Sequence, residues 1–204
     1  MEYMETINMA VLTKKIYDSG LSLFDLKTLN DILGVKKEST SFGVINRLIK
    51  SKVLVKIEKN KYLLQNGKAD DFSLANFLYS PSYISFETAL NIYGILSQFP
   101  YEITSCTSRK TKQKTYEEKL FSYTHIKKEL FWGYEKKENF LIALPEKALL
   151  DQLYLAGKGL KGLSLDEYDF SFINLKKLKN YLNKYPKTRQ FKKITALLGE
   201  YVKL

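Results

Sequence analysis

A chain of 204 residues, 45% of them hydrophobic, has room for one large or two small domains and is too apolar for disorder to be its default state. Its 33 Lys and Arg against 22 Asp and Glu leave a formal charge of +11, which favours a polyanionic partner. A single cysteine, Cys106, and a single histidine, His125, exclude an internal disulfide and argue against a structural zinc site built on four N or S ligands. No apolar run reaches the roughly 18 residues of a membrane helix, and the opening Met1-Glu2-Tyr3-Met4-Glu5 lacks a basic-then-apolar leader. A cytoplasmic protein with no membrane partner is expected.

Apolar positions Ile7, Val11, Leu12 and Ile16 predict a first helix over residues 5–18, stopped by Gly20. Residues 21–34 predict a second, with Ser22 as N-cap and Gly34 in the left-handed position past its end. A third is expected over 38–51. The β-branched and aromatic runs 53–57 and 61–64 flank the polar Glu58-Lys59-Asn60 and predict a β-hairpin. Helix, helix, short turn, helix, hairpin is the order of a winged helix-turn-helix, placed at residues 1–66.

The polar stretch 65–71, with Gly67, marks a domain boundary. A second domain, 71–204, is expected to begin with helices over 71–79 and 85–97, the latter capped by Ser85. Strands are predicted over 102–107, 120–126, 131–134 and 140–143, then a helix over 145–156 started by Pro145. Two Lys-rich helices, 175–184 and 188–202, lie either side of Pro186. The expected fold class is α+β: an N-terminal winged helix-turn-helix followed by a mixed α/β C-terminal domain with a small sheet and C-terminal helices.

In the third helix Phe42, Ile45, Leu48 and Ile49 fall on one side at about 100° per residue and are expected to face the core. The other side then carries Lys36, Thr40, Gly43, Arg47 and Lys50, flanked by Ser39 and Asn46. Arg and Asn can pair bidentately with base edges, whereas Lys and hydroxyls suit phosphates. Gly43 costs the helix about 0.5–1 kcal/mol relative to Ala; a close approach to DNA or plain tolerance accounts for it. The hairpin adds Lys56, Lys59 and Lys61. Residues 36–61 hold eight cations (Lys36, Lys37, Arg47, Lys50, Lys52, Lys56, Lys59, Lys61) against Glu38 and Glu58. Expected DNA contacts are Lys36, Lys37, Ser39, Thr40, Asn46, Arg47, Lys50, Lys59 and Lys61, with a solvated face on a protein-binding winged helix as the alternative.

Between Lys176 and Lys203 nine cations stand against one acid, Glu200. Solvated helix faces usually mix signs, so Lys187, Arg189, Lys192 and Lys193 are candidates for a second DNA surface, beside the plain reading of a soluble Lys face. Phe191, Ile194, Leu197, Leu198 and Val202 supply the last helix's apolar side. Residues 109–114 are also basic and read as a loop between strands.

Catalytic patterns are absent. There is no G-x-x-x-x-G-K-[ST] and no G-x-G-x-x-G; Gly157-Lys158-Gly159 is too short for a phosphate loop and reads as a helix end. Cys106 and His125 lie on different predicted strands and read as ordinary strand residues rather than a nucleophile and base. Asp166-Glu167-Tyr168-Asp169 clusters carboxylates without convergent ligands from elsewhere. No catalytic residue, metal or cofactor is expected.

Three ordered groups of motifs remain: Pro81-Ser82-Tyr83-Ile84-Ser85-Phe86-Glu87-Thr88-Ala89-Leu90 with Tyr93-Gly94-Ile95 and Pro100; Tyr123-Thr124-His125-Ile126 with Leu130-Phe131-Trp132-Gly133-Tyr134; and Ala143-Leu144-Pro145-Glu146-Lys147-Ala148-Leu149-Leu150-Asp151. In this order, behind a winged helix, they resemble AbiEi-type antitoxins, the transcriptional regulators of AbiE toxin–antitoxin (abortive infection) systems of phage defence, over nearly the whole chain. The resemblance implies an antitoxin that represses its own operon by binding inverted-repeat operator DNA. Its C-terminal domain would neutralise a nucleotidyltransferase-like toxin, indirectly and without a stable complex. Bottom-up, the same motifs also read as core segments. The rival readings are a winged-helix protein that binds its partner directly, and a small kinase or nuclease carrying a DNA-binding module.

Overall fold

The computed structural model of the protein describes residues 8–35 and 37–202 (for Glu38, the backbone alone). Lys36 and Lys203 lie outside the described residues, as does Ile7. The chain is α+β, with eight α-helices and two sheets among the described residues. Its internal contacts divide it into two units, Met1–Asp70 and Asp71–Leu204.

In the first unit, α1 (Met9–Asp18) starts at Asn8, whose side chain accepts the N–H groups of Ala10 and Val11. The helix expected over 21–34 is shorter than its sequence pattern. Leu23–Asp25 is instead a strand, β1, and Asp25 rather than Ser22 caps α2 (Leu26–Leu33), accepting the Thr28 N–H at 2.7 Å. Three residues are too few to display an alternating pattern; β1 exists because Phe24, fully buried, pairs with Tyr62. Gly34, at φ 70°, closes α2 in the left-handed region. Then come α3 (Glu38–Lys50), β2 (Leu54–Glu58) and β3 (Lys61–Leu64). The sheet order is β1-β3-β2, antiparallel throughout. Its core joins Leu12 and Ile16 of α1, Leu29 and Leu33 of α2, and Val44, Ile45 and Leu48 of α3 to Phe24, Leu54 and Tyr62 of the sheet. At Gly67 a Cβ would stand 2.8 Å from the Leu64 Cβ and 3.0 Å from the Ser22 Oγ, so the chain leaves this unit through a gap that only glycine passes.

The second unit holds α4 (Asp71–Leu78), β4 (Ser82–Ile84), α5 (Phe86–Ile92), β5 (Ile103–Thr107), β6 (Lys112–Tyr116), β7 (Lys119–His125), β8 (Tyr134–Lys137), β9 (Phe140–Ala143), α6 (Pro145–Ala156), α7 (Leu175–Leu182) and α8 (Arg189–Tyr201). Six strands form one mixed sheet in the order β6-β7-β5-β4-β9-β8. β4 runs antiparallel to β5 and parallel to β9, β5 is parallel to β7, and hairpins close both edges. Every residue of α6 from Glu146 to Leu155 is buried.

Four expectations change here. The helix predicted over 85–97 stops at Ile92, and Gly94, at φ 74°, leaves space that brings Phe172 within 3.5 Å of the position a Cβ would take. β4 fills a central place that three residues could not announce. The basic stretch read as a loop contains β6, whose polar sequence is stabilised by pairing with β7. The strand expected over 131–134 begins at Tyr134 instead, because Phe131 and Trp132 turn into aromatic packing with Tyr83 and Tyr181. Both edge strands are studded with charge: Lys112 and Lys114 on β6, Glu135, Lys136 and Lys137 on β8. Among the described residues no helix is long and apolar enough to cross a membrane.

Candidate nucleic-acid interface

The facing of α3 is set by four buried residues, Ser41, Val44, Ile45 and Leu48. The Ser41 hydroxyl donates to the Asn30 side-chain oxygen of α2, and the Val35 N–H bonds the Asn30 carbonyl, so one residue of α2 ties down both the turn and the start of α3. This corrects the expected orientation. Phe42, predicted to face the core, is 39% exposed, and Ser41 takes the inward place. The outward stripe turns by roughly 60° about the helix axis, at 100° per residue. Ser39 and Asn46 move from its flanks to its centre beside Lys50 and Gly43. Arg47 remains exposed on one margin, and Thr40 is half-buried there.

Lys37 stands exposed at the N-cap of α3 and offers no side-chain hydrogen bond to it. Among the described residues no side chain accepts from the first-turn N–H groups of α3, and a helix start left open in this way suits a phosphate. In the hairpin, Lys59 is exposed beside Asn60, whose φ of 59° makes the turn. Lys61 differs from its neighbours: it is half-buried and pairs with Glu58 at 3.4 Å, so part of its charge is already met within the hairpin.

In the second unit Lys187, Arg189, Lys192 and Lys193 are all exposed and, with Ala196, line one open depression. Thr188 starts α8 by accepting the Phe191 N–H. Phe191, Leu198 and Val202 are buried as expected, but Leu197 is 43% exposed. Two other cations of this region have structural partners: Lys177 lies 3.3 Å from Glu146, and Lys184 sits 4.5 Å from the Trp132 ring centre. The basic run 109–114 is likewise engaged. Arg109, Lys112 and Lys114 approach the Tyr79 ring at 4.8, 5.9 and 5.6 Å, and Lys114 donates to the Leu78 carbonyl at 2.8 Å.

The motifs that carry the family resemblance converge on a buried charge network. Lys147 and Asp151, one turn apart on α6, form an ion pair with both side chains at 0% exposure. Asp151 also accepts from Tyr83 at 3.0 Å, Ser85 at 2.9 Å and Tyr185 at 2.8 Å. Lys147 donates in addition to the Tyr83 hydroxyl at 3.0 Å and lies 5.2 Å from the Trp132 ring centre. Gly133, at φ 74°, passes so close that a Cβ would meet the Lys147 stem at 3.1 Å, and Tyr134 stacks on Tyr83 at 4.7 Å. Ser85 occupies the N-cap position of α5 without capping it, because its hydroxyl is turned to Asp151. Burial, then the nearby Asp151, hold the Tyr83 and Tyr185 hydroxyls well above the usual tyrosine range, and burial pushes the Cys106 thiol up as well. No signal in the sequence singled out this network beyond the motifs themselves.

Cys106 and His125 do not meet. Cys106 pairs in register with Thr124, and alternation puts His125 on the opposite face of the sheet, exposed, with its Nδ1 2.8 Å from the Arg109 carbonyl. Asp169 of the acidic run caps the turn by accepting the Ser171 N–H at 2.9 Å, and hydrogen bonds from the Ser171 side chain and backbone hold its carboxyl below the usual range. No protein-family model matches the chain, and no curated protein matches it closely.

Proposed function

We propose that the first unit is a winged helix-turn-helix that binds double-stranded operator DNA, and that the chain is the antitoxin and autorepressor of an AbiE-type operon. The observation that carries the DNA reading is the outward face of α3. Ser39, Asn46, Arg47 and Lys50 are exposed together, with Lys37 at its uncapped start and Lys59 at the hairpin tip. Asn46 and Arg47 carry the groups that pair bidentately with base edges; the lysines, Ser39 and the first-turn N–H groups suit phosphates, which fix register without carrying sequence.

A gel shift with the duplex upstream of the protein's own coding sequence tests the repressor reading; absence of specific binding overturns it. In the same assay Arg47→Ala is expected to lose about 1–3 kcal/mol of specific binding. Operator affinity equal to the unaltered chain's, with the fold intact, removes Arg47 from base readout.

The antitoxin half of the reading rests on the sequence resemblance, with a nucleotidyltransferase-like toxin as the functional partner. The unit Asp71–Leu204 has its own sheet and its own buried helix, α6. Residues 71–204 alone are therefore expected to protect cells co-expressing the toxin. A folded fragment that gives no rescue counts against an antitoxin domain that works by itself.

A further inference from the structure

Phe42 is an apolar ring on a face where every exposed neighbour is polar or glycine. It lies three residues from Ser39 and four from Asn46, so the three side chains share one flank of α3. A single exposed phenylalanine is common on protein surfaces. This one is next to Gly43, where a Cβ would have nothing within 4 Å, so no packing inside the protein calls for the glycine. An apolar ring, a carboxamide one turn on and a backbone free of side-chain bulk together make a surface that can be pressed against the floor of a groove.

In the major groove the one apolar group a base pair presents is the thymine C5-methyl, and the paired adenine offers N6–H and N7, which a carboxamide satisfies bidentately. We infer that α3 reads A·T pairs, with the Phe42 ring packed on a thymine methyl and the Asn46 carboxamide on adenine, the Gly43 backbone giving both the reach. This inference rests on the winged-helix reading of the first unit and specifies what that helix recognises.

The test uses the full chain and a duplex enriched by it from random-sequence DNA. The enriched sequence should contain invariant A·T pairs in each half-site. Replacing the contacted thymine by uracil, which removes only the methyl, should weaken binding about fourfold per contact, the worth of one buried methyl group. Phe42→Ala should lose the same factor on thymine DNA and become indifferent to uracil. Since the ring is only 39% exposed, the substitution also removes some packing, so affinities are compared on variant protein whose denaturation curve shows it folded. Asn46→Ala should lose roughly tenfold or more and cease to discriminate against G·C at one position. Equal affinity of the unaltered chain for thymine and uracil duplexes overturns the methyl contact. Phe42→Ala binding DNA with unchanged affinity overturns it too, and assigns the ring to a protein partner. If no duplex is enriched at all, the DNA-binding reading itself falls, an outcome distinct from enrichment without methyl sensitivity.

Discussion

Asp151→Ala is expected to destabilise the unit Asp71–Leu204 by about 3–5 kcal/mol, the cost of breaking a buried ion pair by removing one partner. The substitution strands the Lys147 ammonium at 0% exposure. It also takes the acceptor from three hydroxyls, those of Tyr83, Ser85 and Tyr185. A domain of this size has about 5–15 kcal/mol in hand, so the loss removes much of it. The measurement is urea unfolding followed through the chain's one tryptophan, Trp132, which lies over the network and reports on it directly. Lys147→Met should be milder, because the Asp151 carboxylate it leaves unpaired keeps its three hydroxyl donors and can take up a proton, whereas the ammonium stranded by Asp151→Ala keeps no carboxylate. Replacing both members by apolar residues should not restore stability as it does for some isolated buried pairs, since the hydroxyls would be left without an acceptor. A loss below about 1 kcal/mol for Asp151→Ala would show that the network contributes little beyond an ordinary hydrogen bond.

If the surface of Lys187, Arg189, Lys192 and Lys193 holds phosphates, changing all four to Gln is expected to flatten the dependence of log K on log salt by roughly two to four units, at about 0.9 per phosphate contact. At moderate salt that amounts to a loss of orders of magnitude in affinity, spread evenly over all sequences because phosphates carry no base identity. The four side chains are exposed around one depression, and none forms an ion pair with a described acid. Lys177 and Lys184 are poor choices for the same experiment, since one neutralises Glu146 and the other covers Trp132. An unchanged slope in a folded quadruple variant would leave this surface a solubility device and confine the DNA contact to the first unit.

The elements that could be read from sequence are those whose pattern is local. The hairpin of β2 and β3 follows from β-branched runs around a polar turn, and α6 from a proline start and a continuous apolar stretch. The elements that could not be read are non-local. β1 and β4 have three residues each and depend on partners 38 and 23 positions away in the register pairs Phe24–Tyr62 and Tyr83–Cys106. β6 is polar along its length and is held as a strand by its ladder to β7. The facing of α3 departs from its hydrophobic pattern for a similar reason. Hydrophobicity alone places Phe42 inward, but Asn30 provides a hydrogen-bond partner only for the small Ser41, and Val44 fills the space beside it. The candidate contact residues were mostly recognisable as a set, since cations and amides on a short helix keep their exposure under a modest rotation. Their ranking was not, because it depends on that rotation.

The charged edges of the six-stranded sheet restrict how this protein can associate. A lysine-bearing edge opposes the approach of another strand, because continuing the ladder would bring like charges together and desolvate them. With Lys112 and Lys114 on one rim and Lys136 and Lys137 on the other, neither rim invites a second copy or an extended peptide to add itself as a seventh strand. If two copies do bind an inverted repeat, as proposed, they would have to recognise one another through side chains, and their spacing would be dictated by the DNA rather than by a shared sheet.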